Sequence, residues 1–206
     1  MRKPLQLVLV IVASTTLSGC LDLDWAMLSL FGGRNDVRQI EPNDWIDIPR
    51  DRAVIVYGVA DQGKWPREGI AVTLDEYSME RHQIAFSCFL YNHADAVLAA
   101  GTAEVHYFVF RVPPGYYIDG IINPTPVAEP YASMAFEAPA GRIVYIGDFV
   151  NVTEAAGADA EETFEFRRNL DAARTALKSY KALHGELTLA NGVRVDRGPM
   201  PYPCMP

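Results

Sequence analysis

The sequence predicts a mainly β fold: an antiparallel β-sandwich or barrel-like domain with one C-terminal helix. Three observations predict it. Short runs of β-branched and aromatic residues recur from Ala53 onward, Pro and Gly turns separate them, and no helical pattern of useful length precedes about residue 165.

The first run, Ala53 to Val59, holds Val54, Ile55, Val56, Tyr57 and Val59, the residue types that suit a pleated and mostly buried surface. Further strands are expected at Ile70 to Leu74, Gln83 to Tyr91, Glu104 to Val112, Tyr116 to Ile122, Ala132 to Glu137 and Arg142 to Val150. Pro113-Pro114-Gly115 fixes φ and then offers a residue tolerant of positive φ, so Glu104 to Ile122 reads as an antiparallel hairpin. Ala138-Pro139-Ala140-Gly141 is expected to turn the chain in the same way before Arg142. Ala190-Asn191-Gly192, between Leu187 to Leu189 and Val193 to Val195, is read as a third, smaller hairpin.

Asn169 is placed to cap a helix running to Leu183, with Leu170, Ala173, Leu177 and Tyr180 along one side and Gly185 beyond as its stop. One such helix is expected to cover a sheet face or edge. The tail from Gly198 is too rich in proline to continue a strand.

The N-terminus carries an address. Arg2 and Lys3 precede the apolar run Leu5 to Ala13, and Ser14 to Gly19 is small and polar, which is the order of a signal peptide. The run falls short of the roughly 18 residues that a spanning helix needs, so it is not expected to persist as a membrane anchor. Leu17-Ser18-Gly19-Cys20 resembles the lipobox of bacterial lipoproteins. The resemblance implies cleavage before Cys20, a thioether from its sulfur to diacylglycerol, and a further acyl chain on the freed amino group. Two or three acyl chains hold a protein on a membrane far longer than one, at about 0.8 kcal/mol per buried CH2. Leu21 stands where an Asp would favour inner-membrane retention under the enterobacterial sorting rule, so the resemblance points to the outer membrane, although Asp22 follows at once.

The expected organisation is a signal peptide over 1–19, a lipidated N-terminus and tether over 20–51, and a β-rich domain with a late helix and a Pro-rich tail over 52–206. Leu21 to Phe31, with Trp25, Met27, Leu28 and Leu30, reads as a short helix against either the bilayer surface or the domain itself. The whole chain has a formal charge of −8, and its signal segment holds basic but no acidic residues, so the exported part is more acidic still. Such a surface repels phosphate backbones and anionic headgroups, which argues against a nucleic-acid partner and leaves membrane affinity to the lipid.

With Cys20 acylated, Cys88 and Cys204 are the remaining thiols in an oxidising compartment, where two leftover cysteines often pair. A bridge between them would close a loop on the order of 100 residues, worth up to about 4.7 kcal/mol in the chain-entropy model. The alternative is that Cys88, inside the apolar run Ile84 to Tyr91, is a buried small hydrophobe.

Arg52-Ala53-Val54-Ile55-Val56-Tyr57, Pro113-Pro114-Gly115-Tyr116 and Ala140-Gly141-Arg142-Ile143-Val144-Tyr145-Ile146-Gly147-Asp148 together resemble small bacterial lipoproteins whose body is a β-sandwich like the regulatory domain of carboxypeptidases. The resemblance covers about residues 52 to 150. It implies an envelope-facing, non-catalytic domain and carries over no catalytic or binding residues.

Chemistry-bearing motifs are sparse. His82, His93, His106 and His184 lack the close spacing of a zinc site, and His93-Ala94-Asp95 reads as a locally hydrogen-bonded pair on a loop. Ser78, Ser87, Ser133 and Ser179 lack the Gly-x-Ser-x-Gly elbow, and no glycine-rich phosphate loop follows a strand. Asp159, Glu161, Glu162 and Glu165 form an acidic patch whose spacing matches no calcium loop, and the segment Ala155 to Glu162 reads as a solvated linker. No catalytic residue, metal or cofactor is therefore expected. The expected function is a membrane-anchored interaction or structural module, with envelope proteins as candidate partners. A periplasmic hydrolase assembled from distant residues and a small-molecule carrier are the alternatives.

Overall fold

The structure is a computed structural model that describes residues 35–44, 50–64, 69–85, 92–99, 101–119, 132–154, 163–181 and 183–196. The chain divides into a unit Met1–Arg34 and a unit Asn35–Pro206, and all described residues belong to the second.

The strands are β1 (Arg38–Gln39), β2 (Ala53–Asp61), β3 (Gly69–Ser78), β4 (Gln83–Ile84), β5 (His93–Ala99), β6 (His106–Val112), β7 (Gly115–Asp119), β8 (Ala132–Ala138), β9 (Ile143–Asn151), β10 (Phe164–Arg167), β11 (Leu187–Leu189) and β12 (Gly192–Asp196). The single helix among the described residues, α1, spans Leu170–Leu177. Two six-stranded sheets result. The first runs β1-β6-β2-β9-β10 with β11 also on β9, and the second runs β12-β8-β7-β3-β4 with β5 also on β3. Pairing is antiparallel except at β2–β9 and β9–β11, which are parallel. Among the described residues the fold is thus mainly β, two curled sheets with one helix, as the alternation of strand runs and turns predicts.

The sheets face one another across one core. Ala53, Ile55, Tyr57 and Val59 of β2 alternate inward with Phe108, Phe110 and Val112 of β6, against Val72 and Leu74 of β3, Ala94 and Ala96 of β5 and Phe136 of β8. Tyr57 is fully buried, and its hydroxyl lies 3.1 Å from the Val72 carbonyl and 2.8 Å from that of Ala94, joining the first sheet to the second. Burial, above all, raises its pKa well beyond the ordinary phenol value.

Every residue of β2 and β9 is buried, because the outer face of the first sheet is covered as well. Val54, Val56, Val109, Ile143 and Tyr145 on that face meet Ala173 of α1, with Leu170, Leu177, Tyr180 and Leu183 around it. Asn169 caps the helix as expected, its side chain accepting from the Ala172 amide at 3.1 Å. The helix is shorter than expected and stops at Leu177, leaving Tyr180 and Leu183 to pack from the turn that follows.

The three turns expected to close hairpins instead cross between sheets. β6 and β7, β8 and β9, and β11 and β12 each fall in opposite sheets. Turn residues set where a chain reverses, not which edge it then meets. At the first crossing Pro113 and Pro114 offer no N–H to a ladder, and the Tyr117 hydroxyl donates to the Pro113 carbonyl at 2.9 Å. At the last, the Ala190 amide donates to Tyr145 in the first sheet while the Asn191 carbonyl accepts from Glu137 in the second. Part of the segment expected as a tether also joins the fold: β1 pairs with β6, and Ile40 is buried beneath the helix side.

Candidate functional site

Cys20, Cys88 and Cys204, the residues singled out for lipidation and pairing, lie outside the described residues. His93 and Asp95 are on β5 rather than on a loop, their side chains 3.2 Å apart (Nε2 to Oδ2), with Asp95 also accepting from Thr73 at 2.7 Å. His82 sits in the β3–β4 turn at φ 51°, and His106 is exposed with its ring 4.8 Å from that of Phe108. Among the described residues no three His, Cys, Asp or Glu side chains are grouped to hold a metal, and no helix is long and apolar enough to cross a membrane.

Two other places depart from ordinary packing. The first is a strip where β8, paired with β12 in one sheet, meets β10 of the other. Phe166 of β10 lies 46% exposed yet is placed with care: its ring stacks on Phe136 with centroids 5.7 Å apart, and meets Phe149 edge-on at 5.4 Å. The ring fits because β9 has a bulge beside Tyr57 and a glycine at that point. A Cβ on Gly147 would stand 2.5 Å from Phe166 Cε2, and Gly147 holds φ +153°. Met134, two residues before Phe136, is 40% exposed, and a Cβ on Gly192 would stand 2.6 Å from its Cε. Arg168 places its guanidinium 5.5 Å from the Phe166 ring centroid, and Arg194, exposed, lies across from Met134 in the β12–β8 ladder. The order along the strip is therefore Arg194, Met134, Phe136, Phe166, Arg168.

Comparison with protein-family models, characterised proteins and solved structures finds no match to this chain. Its site has to be read from its own geometry.

The second place is a row across the outer face of the first sheet. Tyr107, Gly58, Asp148 and Arg167 are successive cross-strand partners on β6, β2, β9 and β10. Asp148 is buried, and its Oδ1 has no hydrogen-bond partner among the described residues. Burial pushes its carboxyl pKa up, against the opposing pull of a Tyr145 hydrogen bond and of Arg167. Tyr145 is raised past the ordinary phenol range, again chiefly by burial, and half-buried Tyr107 is pushed up to about 12 by burial and by the nearby Asp148.

These groups fasten the helix. The Asn169 amide donates to the Tyr145 hydroxyl at 3.1 Å, and the Tyr180 hydroxyl donates to the Tyr107 carbonyl at 3.2 Å. Arg111, whose buried Nε likewise has no partner among the described residues, stands in a different row, separated from Asp148 by Val109, Val56 and Tyr145. The two unpartnered atoms do not form one site.

Sequence reasoning passes over Phe166, Met134, Arg168, Arg194 and Asp148. The available signals were Gly147 inside an otherwise apolar strand and the alternation Phe164-Glu165-Phe166-Arg167, which follows the acidic stretch Ala155 to Glu162 that reads as linker.

Proposed function

We propose that this protein is a lipoprotein of the bacterial envelope, held by acyl chains on Cys20, whose β-sandwich is a non-catalytic interaction module facing the periplasm. The observation that carries the anchor is the register of Arg2-Lys3, the apolar run and Leu17-Ser18-Gly19-Cys20, each at the distance that export, cleavage and acylation require. The outer membrane is the favoured location, from Leu21. The two-sheet architecture and the segments around Tyr57, Tyr116 and Tyr145 support kinship with lipoproteins that carry a carboxypeptidase-regulatory type of sandwich. The strip from Arg194 to Arg168 supports the interaction role, because apolar side chains framed by charge are typical of binding surfaces.

The test combines mass spectrometry of the membrane-extracted protein with cross-linked capture from membranes. The native chain should lose residues 1–19 and gain the mass of diacylglycerol plus an acyl chain, while Cys20→Ala should appear in the soluble fraction and lose envelope partners. An unmodified Cys20 would overturn the anchor, and absence of specific partners from the native capture would overturn the interaction role.

A further inference from the structure

The two sides of the sandwich differ. On the β1 and β5 side, Asn35 and Asn92 close the gap: the Asn35 side-chain amide donates to the His93 carbonyl at 3.3 Å, and Asn92 Oδ1 accepts from the Asp36 amide at 2.9 Å. Arg52 also forms an ion pair with Asp36 there. On the other side β10 and β12 end their sheets, with no further strand neighbour among the described residues. Sheet edges of this kind accept an added extended chain through main-chain hydrogen bonds, while side-chain surfaces beside the edge choose which chain.

Charge at this edge comes from arginines. Arg167 pairs with Glu165 at 2.5 Å, and Arg174 with Asp171 at 3.5 Å. Arg168 and Arg194, at the two ends of the apolar strip, make no ion pair among the described residues, in a chain with 26 acidic against 18 basic side chains. Two glycines, Gly147 and Gly192, leave room for the two exposed apolar side chains, Phe166 and Met134, which would otherwise be displaced. An apolar strip with an uncommitted guanidinium at either end is complementary to an apolar side chain between carboxylates.

We propose that the strip of exposed Arg194, Met134, Phe166 and Arg168, lying over buried Phe136, docks an extended peptide segment of an envelope partner, one that carries an apolar side chain flanked by acidic residues. The inference rests on the interaction role proposed above and is independent of the lipid anchor. The net charge of −8 opposes an acidic segment at long range, so the preference must arise from contacts at the strip and not from steering.

The test uses the full-length purified protein and fluorescence anisotropy with synthetic extended peptides of graded length. The peptides share one Phe-centred apolar core and carry either Asp or Lys at both flanks. Asp-flanked peptides should bind at least ~10-fold more tightly than Lys-flanked ones. The double variant Arg168→Glu, Arg194→Glu, which changes exposed side chains only, should reverse that preference without altering the melting temperature. Phe166→Ala should weaken binding by ~10-fold or more.

Binding to neither set, equal binding to both, or an unchanged preference in the double variant overturns the proposal. So does a dimer in sedimentation that Phe166→Ala dissociates, since a second copy would then occupy the strip. The two readings separate in the membrane capture. Absence of specific partners from the native capture condemns the interaction role itself, whereas partners that the native protein captures and the Arg168→Glu, Arg194→Glu protein retains condemn only the strip.

Discussion

Gly58 stands directly opposite Asp148 in the parallel β2–β9 pair, and the carboxylate occupies the space where a side chain at Gly58 would be. A Cβ there would meet Asp148 and Val105 closer than real Cβ atoms approach any neighbour. Asp148 is buried and Val105 half-buried. Gly58→Ala is therefore expected to destabilise the fold by ~1–3 kcal/mol, as overpacking a filled interior does. Gly115→Ala, where the nearest atom is Glu76 Oε1 at an ordinary 3.8 Å, serves as the control. Urea denaturation of the two variants checks the contrast, and equal midpoints would show that Asp148 moves freely.

Asp148 should also tie stability to pH. Its folded pKa is raised, first by burial and against the pull of Tyr145 and Arg167, so the fold disfavours the ionised form. The contribution is then most favourable below the unfolded carboxylate value, about 3.9, and is lost as pH rises from there through the raised folded value. The groups facing it are Tyr107 from β6, Tyr145 from β9 and Arg167 from β10; both tyrosines stay neutral across this range because their own pKa values are raised. Asp148→Asn is expected to flatten this part of the stability profile. Denaturation series between acid and neutral pH check it, and parallel profiles for the two proteins would remove Asp148 as the cause.

Tyr57 joins the sheets through a single hydroxyl shared by Val72 and Ala94. Tyr57→Phe keeps the ring contacts with Phe110, stacked at 5.6 Å, and Phe149, edge-on at 6.1 Å, but leaves two carbonyls without that donor. A loss of ~1–3 kcal/mol is expected from removing this buried hydrogen-bonding group. The variant should therefore melt lower with an unchanged far-ultraviolet spectrum, and an unaltered melting temperature would mean that the carbonyls find other donors.

What was legible in the sequence follows from physical cause. β2 and β9 stood out because burial on both faces demands unbroken β-branched and aromatic runs. β5 did not, because its inward positions include Ala94 and Ala96, small residues with weak strand preference that conceal the alternation. The turns at Pro113, Pro139 and Asn191 were visible, but their crossing between sheets depends on strand order, a long-range property with no local signature. The strip was hidden for the same reason. Phe136 and Phe166 meet only because β8 and β10 face each other at one edge, although they lie far apart in the chain.

Gly147 offers the sharpest check on how that edge is built. Two costs coincide there: φ +153° is a conformation that side chains rarely adopt, and a Cβ would stand 2.5 Å from Phe166 Cε2. Gly147→Ala should cost ~1–3 kcal/mol from the backbone alone, with a further steric share from the displaced ring. In the Phe166→Ala background the ring is gone, so the cost of Gly147→Ala should fall toward the backbone share; it should not vanish, because the Arg167 carbonyl oxygen would still lie 2.9 Å away. A double-mutant cycle in urea measures the difference. If the cost of Gly147→Ala were the same in both backgrounds, the glycine would serve the bulge of β9 alone and have no part in positioning the ring.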